Sequence, residues 1–374
     1  MGKGRILITG GAGFIGSHLS DRLLTSGYEV RLLDALLPQV HPEGVPPYLN
    51  PAAELRRGDV RDLDVVESAL EGVDVVVHFA AAVGVGQSMY EVVHYASTNV
   101  LGTAALLEVL VKRRIRPRKV LVASSMSIYG EGEYTCPSCG RQDPPLRPTA
   151  QLVRRDWAMR CPGCNQKMQP CPTRESKPLR PTSVYAIGKR DQEEMVLVVC
   201  RGIGVPAVAL RFFNVYGRRQ ALSNPYTGVA AIFSTALLNR RRPIVFEDGL
   251  QTRDFIHVRD VVEACRLAIE VDGVQDEVMN VGSGRQTTVL EFLDVLRREL
   301  SVREVEPEVL GSFREGDIRS CYGDVTRARE RLGYAAQVGL VEGIREIVPW
   351  VLEQASVDRS REALAELQRH ALVR

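Results

Sequence analysis

The strongest constraint on the fold is a glycine-rich segment, GGAGFIG at residues 10–16, that directly follows an apolar run at residues 5–9. The spacing Gly-x-x-Gly-x-x-Gly allows a tight turn and a close approach of the backbone to a pyrophosphate, and a helix that begins there offers N–H donors to an anion. Asp34 ends the next apolar run, 24 residues after Gly10, where a carboxylate binds a ribose 2′-hydroxyl and repels a 2′-phosphate. The segment therefore predicts a dinucleotide-binding βαβ unit that takes NAD. Its contacts would come from Gly10, Gly13, Phe14, Ile15, Gly16 and Asp34.

Further apolar runs alternate with helical patterns, and they predict an α/β fold with a doubly wound parallel sheet of the Rossmann type. The runs lie at residues 29–34, 54–59, 74–79, 119–123 and 206–211. A length of 374 residues suits about two domains. We predict a Rossmann domain at 1–215, to which 252–270 return, carrying an insertion at 134–172. A smaller α/β substrate domain at 216–352 and a polar helical tail at 353–374 follow.

Charge and hydropathy exclude several classes of protein. Lys and Arg number 48 and Asp and Glu 46, so the net charge is only +2, which argues against a protein that coats nucleic acid or an anionic membrane. The chain has no run of 18 apolar residues and no signal-peptide pattern at its start. We therefore expect a cytoplasmic protein that binds neither nucleic acid nor membranes.

Tyr185 and Lys189 are four residues apart in a predicted helix at 182–202, so they share one helix face. An ammonium stabilises a nearby phenolate, so we expect the pKa of Tyr185 to fall into a range useful for acid–base catalysis. Ser125 follows the run at 119–123, at the carboxyl end of a parallel strand, where such sheets bind ligands. We predict that Ser125, Tyr185 and Lys189 are catalytic. The alternatives are a serine-rich turn and a solvated helix face.

Four of the eight cysteines form two Cys-x-x-Cys pairs with 21 residues between them, a spacing close to that of four-thiolate zinc sites. The predicted ligands are Cys136, Cys139, Cys161 and Cys164. Cys171 lies close by and could replace one of them. Because four thiolates leave no position for a substrate, the zinc would be structural. The insertion would rigidify a loop beside the active site or contact another subunit. Nucleic-acid binding through Arg154, Arg155 and Arg160 is the least favoured use, because Trp157 is the one aromatic residue among them for base stacking.

Recognisable stretches run through nearly the whole chain outside the insertion and the tail. They are residues 9–16, 58–60, 78–81, 124–130, Tyr185 with Lys189, 210–217, 253–260, 280–284 and 314–319. Together they resemble the extended short-chain dehydrogenases/reductases of the nucleotide-sugar epimerase/dehydratase family. The resemblance implies a tightly bound NAD, a nucleotide-diphosphate sugar as substrate and a homodimer.

The same resemblance implies roles for individual residues. Further cofactor contacts would come from Asp59, Val60, Ala80, Ala81, Ala82, Asn99, Tyr185, Lys189 and Phe213. Substrate contacts would come from Gln87, Ser88, Ser125, Asn214, Phe246, Arg253 and Arg314. The two arginines would hold the two phosphates, since guanidinium forks match phosphate oxygens.

The reaction expected from this resemblance is C4 epimerisation. Dehydratases of the family place Asp-Glu directly after the catalytic Ser or Thr, whereas this chain has Met126 and Ser127. Residues 34–41, 82–90 and 124–130, together with the cysteine pairs, resemble dTDP-L-rhamnose 4-epimerases, which interconvert dTDP-L-rhamnose and dTDP-6-deoxy-L-talose. A UDP- or GDP-hexose 4-epimerase, a 4,6-dehydratase and a 4-ketoreductase stay open as alternatives. So does a non-enzymatic dinucleotide-binding scaffold.

Overall fold

A computed structural model of the chain describes residues 3–354 and 357–374. The strands are β1 (Arg5–Thr9), β2 (Glu29–Asp34), β3 (Glu54–Arg57), β4 (Val75–His78), β5 (Lys119–Ser125), β6 (Glu133–Cys136), β7 (Gly140–Gln142), β8 (Gln169–Cys171), β9 (Ala207–Phe212), β10 (Asn214–Tyr216), β11 (Ile244–Val245), β12 (Thr252–Arg253), β13 (Phe255–His257), β14 (Glu277–Val281), β15 (Thr287–Thr288), β16 (Glu308–Val309) and β17 (Ser320–Cys321).

The α-helices are α1 (Phe14–Thr25), α2 (Leu63–Leu70), α3 (Val85–Ser88), α4 (Val92–Tyr95), α5 (Gly102–Lys112), α6 (Thr149–Val153), α7 (Val184–Gly202), α8 (Val229–Leu238), α9 (Val258–Glu270), α10 (Val289–Glu299), α11 (Thr326–Leu332), α12 (Leu340–Glu353) and α13 (Ser360–Arg369). A π-helical segment at Ala96–Leu101 joins α4 to α5. The predicted helical tail at 353–374 contains α13, and its residues 355 and 356 lie outside the described residues.

Within the described residues, seven strands form one parallel sheet in the order β14-β9-β5-β4-β1-β2-β3. Successive side chains of a strand point to opposite faces, and Ile6 and Ile8 of β1 accordingly join one core while Leu7 joins the other. Strands buried on both faces need apolar residues at every position, which is why the runs do not alternate. The predicted fold class is confirmed.

Helices cover both faces of this sheet. Leu19 of α1 and Val261 of α9 pack in one core. Leu106 of α5 and Val196 of α7 pack in the other, together with Val66 of α2. None of the described helices is long and apolar enough to cross a membrane.

A further core lies beyond the carboxyl ends of the strands. It contains Tyr216, Phe233, Phe255, Phe292 and Ile344, and we call the elements around it the second lobe. The chain does not stay there from residue 216 to 352. α9 and β14 return to the central sheet, where β14 pairs with β9 as the edge strand. The domain boundaries of the sequence analysis stay a prediction.

The insertion forms its own three-stranded sheet in the order β7-β6-β8, and the short helix α6 lies between β7 and β8 in the chain. Its small core consists of Tyr134, Cys136, Met159, Cys161 and Met168. An insertion of this size buries little apolar surface, so it needs another source of stability.

Candidate active site and four-cysteine site

A cavity of about 670 Å³ lies between the carboxyl ends of the parallel strands and the second lobe. Most of the predicted site residues line it, although they are spread along the chain. These are Gly10, Gly13, Phe14, Ile15, Gly16, Asp34, Asp59, Val60, Ala80, Ala81, Ala82, Gln87, Ser125, Tyr185, Lys189, Phe213, Asn214, Phe246, Arg253 and Arg314. The structure thus brings together the predicted cofactor, catalytic and substrate residues.

The glycine-rich turn forms a tight cradle at one end of the cavity. Gly10 has φ +68°, and a Cβ there would lie 2.9 Å from the backbone nitrogen of Ala80. A Cβ on Gly16 would lie 2.5 Å from the carbonyl oxygen of Gly10. The first turn of α1 has no side-chain cap and no acidic residue, so its N–H groups stay available for an anion.

Asp34 lies beside this cradle and is fixed by backbone amides. Its Oδ2 accepts a hydrogen bond from the Ala12 N–H at 3.0 Å, and its Oδ1 accepts one from the Leu36 N–H at 2.9 Å. Each carboxylate oxygen can accept a further hydrogen bond. The carboxylate is therefore held in place and keeps the capacity to accept ribose hydroxyls.

Ser125, Tyr185 and Lys189 meet on the cavity wall beneath β5. Tyr185 and Lys189 lie one turn apart on α7, whose first turn is capped by Ser183. The Lys189 Nζ donates to the Ala123 carbonyl at 3.0 Å. Ser125 ends β5, and its Oγ accepts hydrogen bonds from the Ser127 N–H and hydroxyl. The β5 strand and the α7 helix therefore fix the relative positions of the three side chains.

The expected fall in the pKa of Tyr185 does not occur in this structure. Burial raises the pKa of Tyr185 to about 12, against a smaller lowering by the Ser125 hydroxyl. Burial lowers the pKa of Lys189 to about 7. Desolvation disfavours the charged form of both groups, and it is the largest cause of each shift.

Asn99 and Ser88 lie behind the cavity wall and do not line it. Asn99 is completely buried in the π-helical segment, where its side chain exchanges two hydrogen bonds with the backbone of Ala82. Asn99 thus supports the wall from behind, and the predicted cofactor contact of Asn99 is not found. Ser88 is also completely buried, and its hydroxyl donates to the Val85 carbonyl within α3. The predicted substrate contact of Ser88 is therefore not found.

Two arginines converge at the far end of the cavity around one carboxylate. Arg314 donates to the Oδ2 of Asp317 at 2.8 and 2.9 Å, and the guanidinium of Arg253 lies 3.7 Å from Oδ1. Burial alone would raise the pKa of Asp317, but the charges of Arg314 and Arg253 lower it below its ordinary value. The ionised Asp317, which the sequence analysis did not identify, thus orients Arg314. The Arg253 guanidinium lies near it but donates to the backbone carbonyls of Thr252, Ile318 and Arg319.

Phe246 and Asn214 complete this end. The guanidinium of Arg314 lies 4.8 Å from the centroid of the Phe246 ring. The Oδ1 of Asn214 and the Oε1 of Gln251 are buried cavity-wall atoms without a hydrogen-bond partner in the described part of the chain. Buried polar atoms are rarely left unpaired, so these two mark places where a ligand donates hydrogen bonds.

The cavity wall also includes residues that no motif indicates. Ala363, Leu364 and Leu367 of α13 line it, and a Cβ on Gly86 would contact Leu367 at 3.2 Å. The backbone of Val373 pairs with that of Arg314. Only the apolar positions of α13 hint at burial, and they do not reveal what the helix packs against.

The four predicted zinc ligands form one cluster. Their sulfur atoms all lie within 4.8 Å of one another, and the sulfurs of Cys136 and Cys164 are 3.4 Å apart. Backbone N–H groups of Cys164 and Gly163 lower the pKa of Cys161 to about 7. Tetrahedral zinc with Zn–S distances of about 2.3 Å needs thiolates at this separation. Cys171 on β8 is not part of the cluster.

Comparison with known proteins places both halves of the chain. Residues 6–151 match the family model of the NAD dependent epimerase/dehydratase family, and residues 166–347 match that of GDP-mannose 4,6 dehydratase. The residues between the two matches lie within the insertion.

Individual relatives match over nearly their whole length. The chain is 34% identical to a dTDP-L-rhamnose 4-epimerase of Burkholderia thailandensis, over 94% of this chain and 95% of the relative. The structure resembles UDP-glucose 4-epimerase of Thermotoga maritima, solved with UDP-glucose, with a TM-score of 0.75, 32% identity and coverage of 92% and 98%. It also resembles UDP-glucuronic acid 4-epimerase of Bacillus cereus, solved with UDP-glucuronic acid and NAD, with a TM-score of 0.76, 26% identity and coverage of 93% and 98%.

Proposed function

The chain belongs to the NAD dependent epimerase/dehydratase family of extended short-chain dehydrogenases/reductases, and we propose that it is an NAD-dependent 4-epimerase of a nucleotide-diphosphate sugar. The observation that carries the proposal is the meeting of Ser125, Tyr185 and Lys189 on the wall of one cavity. The glycine cradle lies at one end of this cavity and the Arg253–Arg314 pair at the other.

NAD fits the residues at the cradle. A Cβ at Gly10 or Gly16 would close the cradle, the start of α1 is uncapped, and Asp34 is held with acceptor capacity to spare. Gly13, Phe14 and Ile15 would face the pyrophosphate, and Asp59 and Val60 the adenine. Ala80, Ala81, Ala82 and Phe213 would surround the nicotinamide end. NAD would supply the acceptor and donor of the C4 hydride.

The protein's own groups would handle the proton. For this step Tyr185 would have to ionise despite its raised pKa. The phenolate would take the proton of the sugar C4 hydroxyl, which Ser125 would orient by a hydrogen bond. After the 4-keto sugar has turned its other face to the nicotinamide, Tyr185 would return the proton to the same C4 oxygen. Lys189 would bind the nicotinamide ribose and, when charged, favour the phenolate.

The side chains next to Ser125 favour epimerisation over dehydration. Elimination of water needs a base at C5 and an acid at C6. Met126 cannot serve, and the Ser127 hydroxyl donates to Ser125. The acidic side chains on the described cavity wall are Asp34 and Asp59 at the cofactor end and Asp317 between the arginines.

The substrate that we propose is dTDP-L-rhamnose, converted to dTDP-6-deoxy-L-talose. Support comes from the dTDP-L-rhamnose 4-epimerase relative and from the apolar wall formed by Leu364 and Leu367, which suits a sugar without a 6-hydroxyl. Arg253 and Arg314 would bind the diphosphate, Phe246 would pack on the base, and Asn214 and Gln87 would hydrogen-bond the substrate. A second candidate is UDP-glucose, because the structure resembles an epimerase solved with that sugar nucleotide.

Proton NMR on dTDP-L-rhamnose with purified protein and no added reductant tests the proposal. We expect a new sugar of identical mass with an altered H3–H4 coupling. UDP-glucose, UDP-glucuronic acid and a GDP-hexose are run in parallel, and a boiled sample is the control.

The outcomes separate the levels of the proposal. If UDP-glucose is the one sugar nucleotide converted to its 4-epimer, the proposed substrate is wrong and the proposed reaction, 4-epimerisation, stands. A keto product, a loss of water or a requirement for NADPH would contradict 4-epimerisation itself.

We further propose that the cluster of Cys136, Cys139, Cys161 and Cys164 binds one structural zinc ion. Four thiolates close the coordination shell, so the ion would stabilise the insertion and take no part in the reaction.

A further inference from the structure

The four-cysteine insertion is docked against the second lobe, close to the end of the cavity where Phe246 lies. The carboxylate of Glu131, just before the insertion, accepts hydrogen bonds from the backbone N–H groups of Arg319 and Ser320 at 2.8 and 2.7 Å. The ring of Trp157 meets that of Phe313 edge to face, with 6.5 Å between centroids. The insertion therefore touches the segment that carries Arg314.

The strongest contact across this boundary is a buried ion pair. Arg147 of the insertion donates two hydrogen bonds to Glu247, at 2.7 and 2.8 Å, and the two side chains are 1% and 2% exposed. Arg319 donates to the same carboxylate at 2.9 Å. A bidentate guanidinium–carboxylate pair fixes orientation as well as distance.

Glu247 needs such fixing because its backbone is strained. Its φ is +54°, a left-handed backbone conformation that residues other than glycine, asparagine and aspartate rarely adopt. Strained residues persist where their surroundings hold them, and here two guanidinium groups and the Glu247 N–H bond to the Ser312 carbonyl do so. The conformation of Glu247 sets the direction of the preceding residue, Phe246, which lines the cavity.

The cysteine cluster and Arg147 belong to one packed unit. The Nη1 of Arg147 also donates to the Trp157 carbonyl at 3.3 Å. The side chain of Gln151 donates to the carbonyls of Asp156 and Ala158, the two neighbours of Trp157 in the chain. Met159 and Cys161 then enter the small core that contains Cys136. A short run of packed residues thus connects the four thiolates to the guanidinium of Arg147.

We infer that Arg147 is a positioning residue for the nucleotide end of the substrate site, and that the metal-bound insertion acts through it to set the affinity for the nucleoside diphosphate. This inference rests on the proposed function. Arg147 holds Glu247, Glu247 sets Phe246, and Phe246 with Arg314 forms the surface on which a base and its phosphates would lie. The catalytic residues Ser125, Tyr185 and Lys189 are not part of this chain of contacts.

The test is titration calorimetry with dTDP, UDP and GDP on the wild type, on Arg147→Met and on Cys164→Ser. In Arg147→Met, Glu247 keeps Arg319 as its partner, so no buried charge is left alone. We expect the Kd for the preferred nucleotide to rise about tenfold or more through lost preorganisation. The kcat at saturating substrate and the amount of NAD that copurifies should each stay within about twofold of the wild-type value. Cys164→Ser should lose the metal, and its Kd for the same nucleotide should also rise.

Arg160→Met is the matched control, because Arg160 lies in the same insertion but pairs only with Asp156 and the backbone there. It should change the Kd less than about twofold. Arg147→Lys keeps the charge without the fork, and it serves if Arg147→Met does not fold. Its Kd should lie between those of the wild type and Arg147→Met.

An unchanged Kd in a folded Arg147 variant would overturn the inference and leave the proposed function intact. Equal losses of kcat, NAD content and nucleotide affinity would also overturn it, since they indicate a general structural role. A wild type that binds none of the three nucleotides would contradict the proposed function and this inference together.

Discussion

Tyr185 is the residue on which the proposed chemistry depends. In the proposed mechanism its hydroxyl is the acid–base group, and no second phenol or carboxylate of the described cavity wall lies beside Ser125 with the same partners. Tyr185→Phe keeps the ring and removes only the proton-transfer group. We expect a loss in kcat of about 10²–10⁴-fold.

The loss should be confined to the chemical step. NAD content, measured after denaturation, and the Kd for dTDP should match those of the wild type. A variant that retains more than a tenth of the activity would show that another group moves the proton.

Lys189 gives the NAD-free protein a distinctive dependence of stability on pH. Its folded pKa is lowered to about 7 by burial, whereas an unfolded lysine titrates near 10.5. Between these values the unfolded chain binds a proton that the folded chain lacks, so this group makes stability rise with pH from about 7 to about 10. Below pH 7 Lys189 is protonated in both the folded and the unfolded chain, so the loss of stability that its burial causes has its full value and no longer changes with pH.

Urea unfolding of the wild type and Lys189→Met at pH 7, 8 and 9 measures this contribution. The methionine variant should be the more stable at pH 7, and its advantage should shrink as the pH rises. A difference that is independent of pH, or that grows with pH, would show that the lysine is charged in the folded state at all three values.

At the scale of elements, the insertion depends on its four thiols. Its core has few apolar side chains, so a metal ion would contribute much of its stability. We expect elemental analysis to find one zinc per chain, and Cys164→Ser to lose it and to become sensitive to proteolysis within the insertion.

Cys171→Ser is the control, because Cys171 lies nearby in the insertion but outside the thiol cluster. It should retain the zinc. Loss of zinc in both variants would assign Cys171 to the coordination shell in place of one cluster member.

Helix α13 contributes a wall of the cavity through Leu367, which is buried against Gly86. Leu367→Ala removes apolar contact from that wall. A single methylene group in an apolar pocket is worth about 1–3 kcal/mol, and this substitution removes three carbon atoms, so kcat/KM should fall at least about 10- to 100-fold. Leu352→Ala, at an exposed leucine of α12, should leave kcat/KM unchanged. Steady-state assays on both variants decide whether α13 contacts the sugar.

At the scale of the whole molecule, a buried ion pair joins helix α7 to the central sheet. Arg211 of β9 donates to Glu193 of α7, and their side chains are 5% and 3% exposed. Glu193→Gln leaves Arg211 charged with weakened compensation, and removal of one partner of a buried pair costs about 3–5 kcal/mol.

Denaturant unfolding compares this variant with Glu194→Gln. Glu194 pairs with Arg190 on the exposed face of the same helix, and such pairs contribute about 0–1 kcal/mol. If both substitutions lower the free energy of unfolding by the same amount, the Arg211–Glu193 ion pair adds nothing to the docking of α7.

Much of the fold and half of the site were predictable because they depend on local patterns. The order of apolar run, glycine turn, helix and Asp34 fixes the cradle, and the spacing of Tyr185 and Lys189 fixes a helix face. The insertion's sheet was not predicted, since β6, β7 and β8 are three or four residues long and carry cysteines, prolines and arginines instead of alternating apolar residues.

What escaped prediction depends on tertiary contacts. Nothing near β14 in the sequence indicates that it pairs with β9, and nothing in α13 indicates the cavity. The family resemblance implies a substrate contact for both Gln87 and Ser88, but successive residues of a helix point in different directions, and Ser88 is buried behind the wall that Gln87 lines. The homodimer, the compartment and the domain boundaries stay predictions.

The position of α13 has a consequence for how the chain becomes active during translation. A ribosome delivers β1 to β5 with the glycine cradle long before Leu364 and Leu367 leave the exit tunnel, and the earlier part can begin to fold as it emerges. The dinucleotide half of the cavity is thus built first, and the wall near Gly86 is built among the last steps. A nascent chain that stalls before Ser360 would be able to load a cofactor while lacking a complete pocket for the sugar.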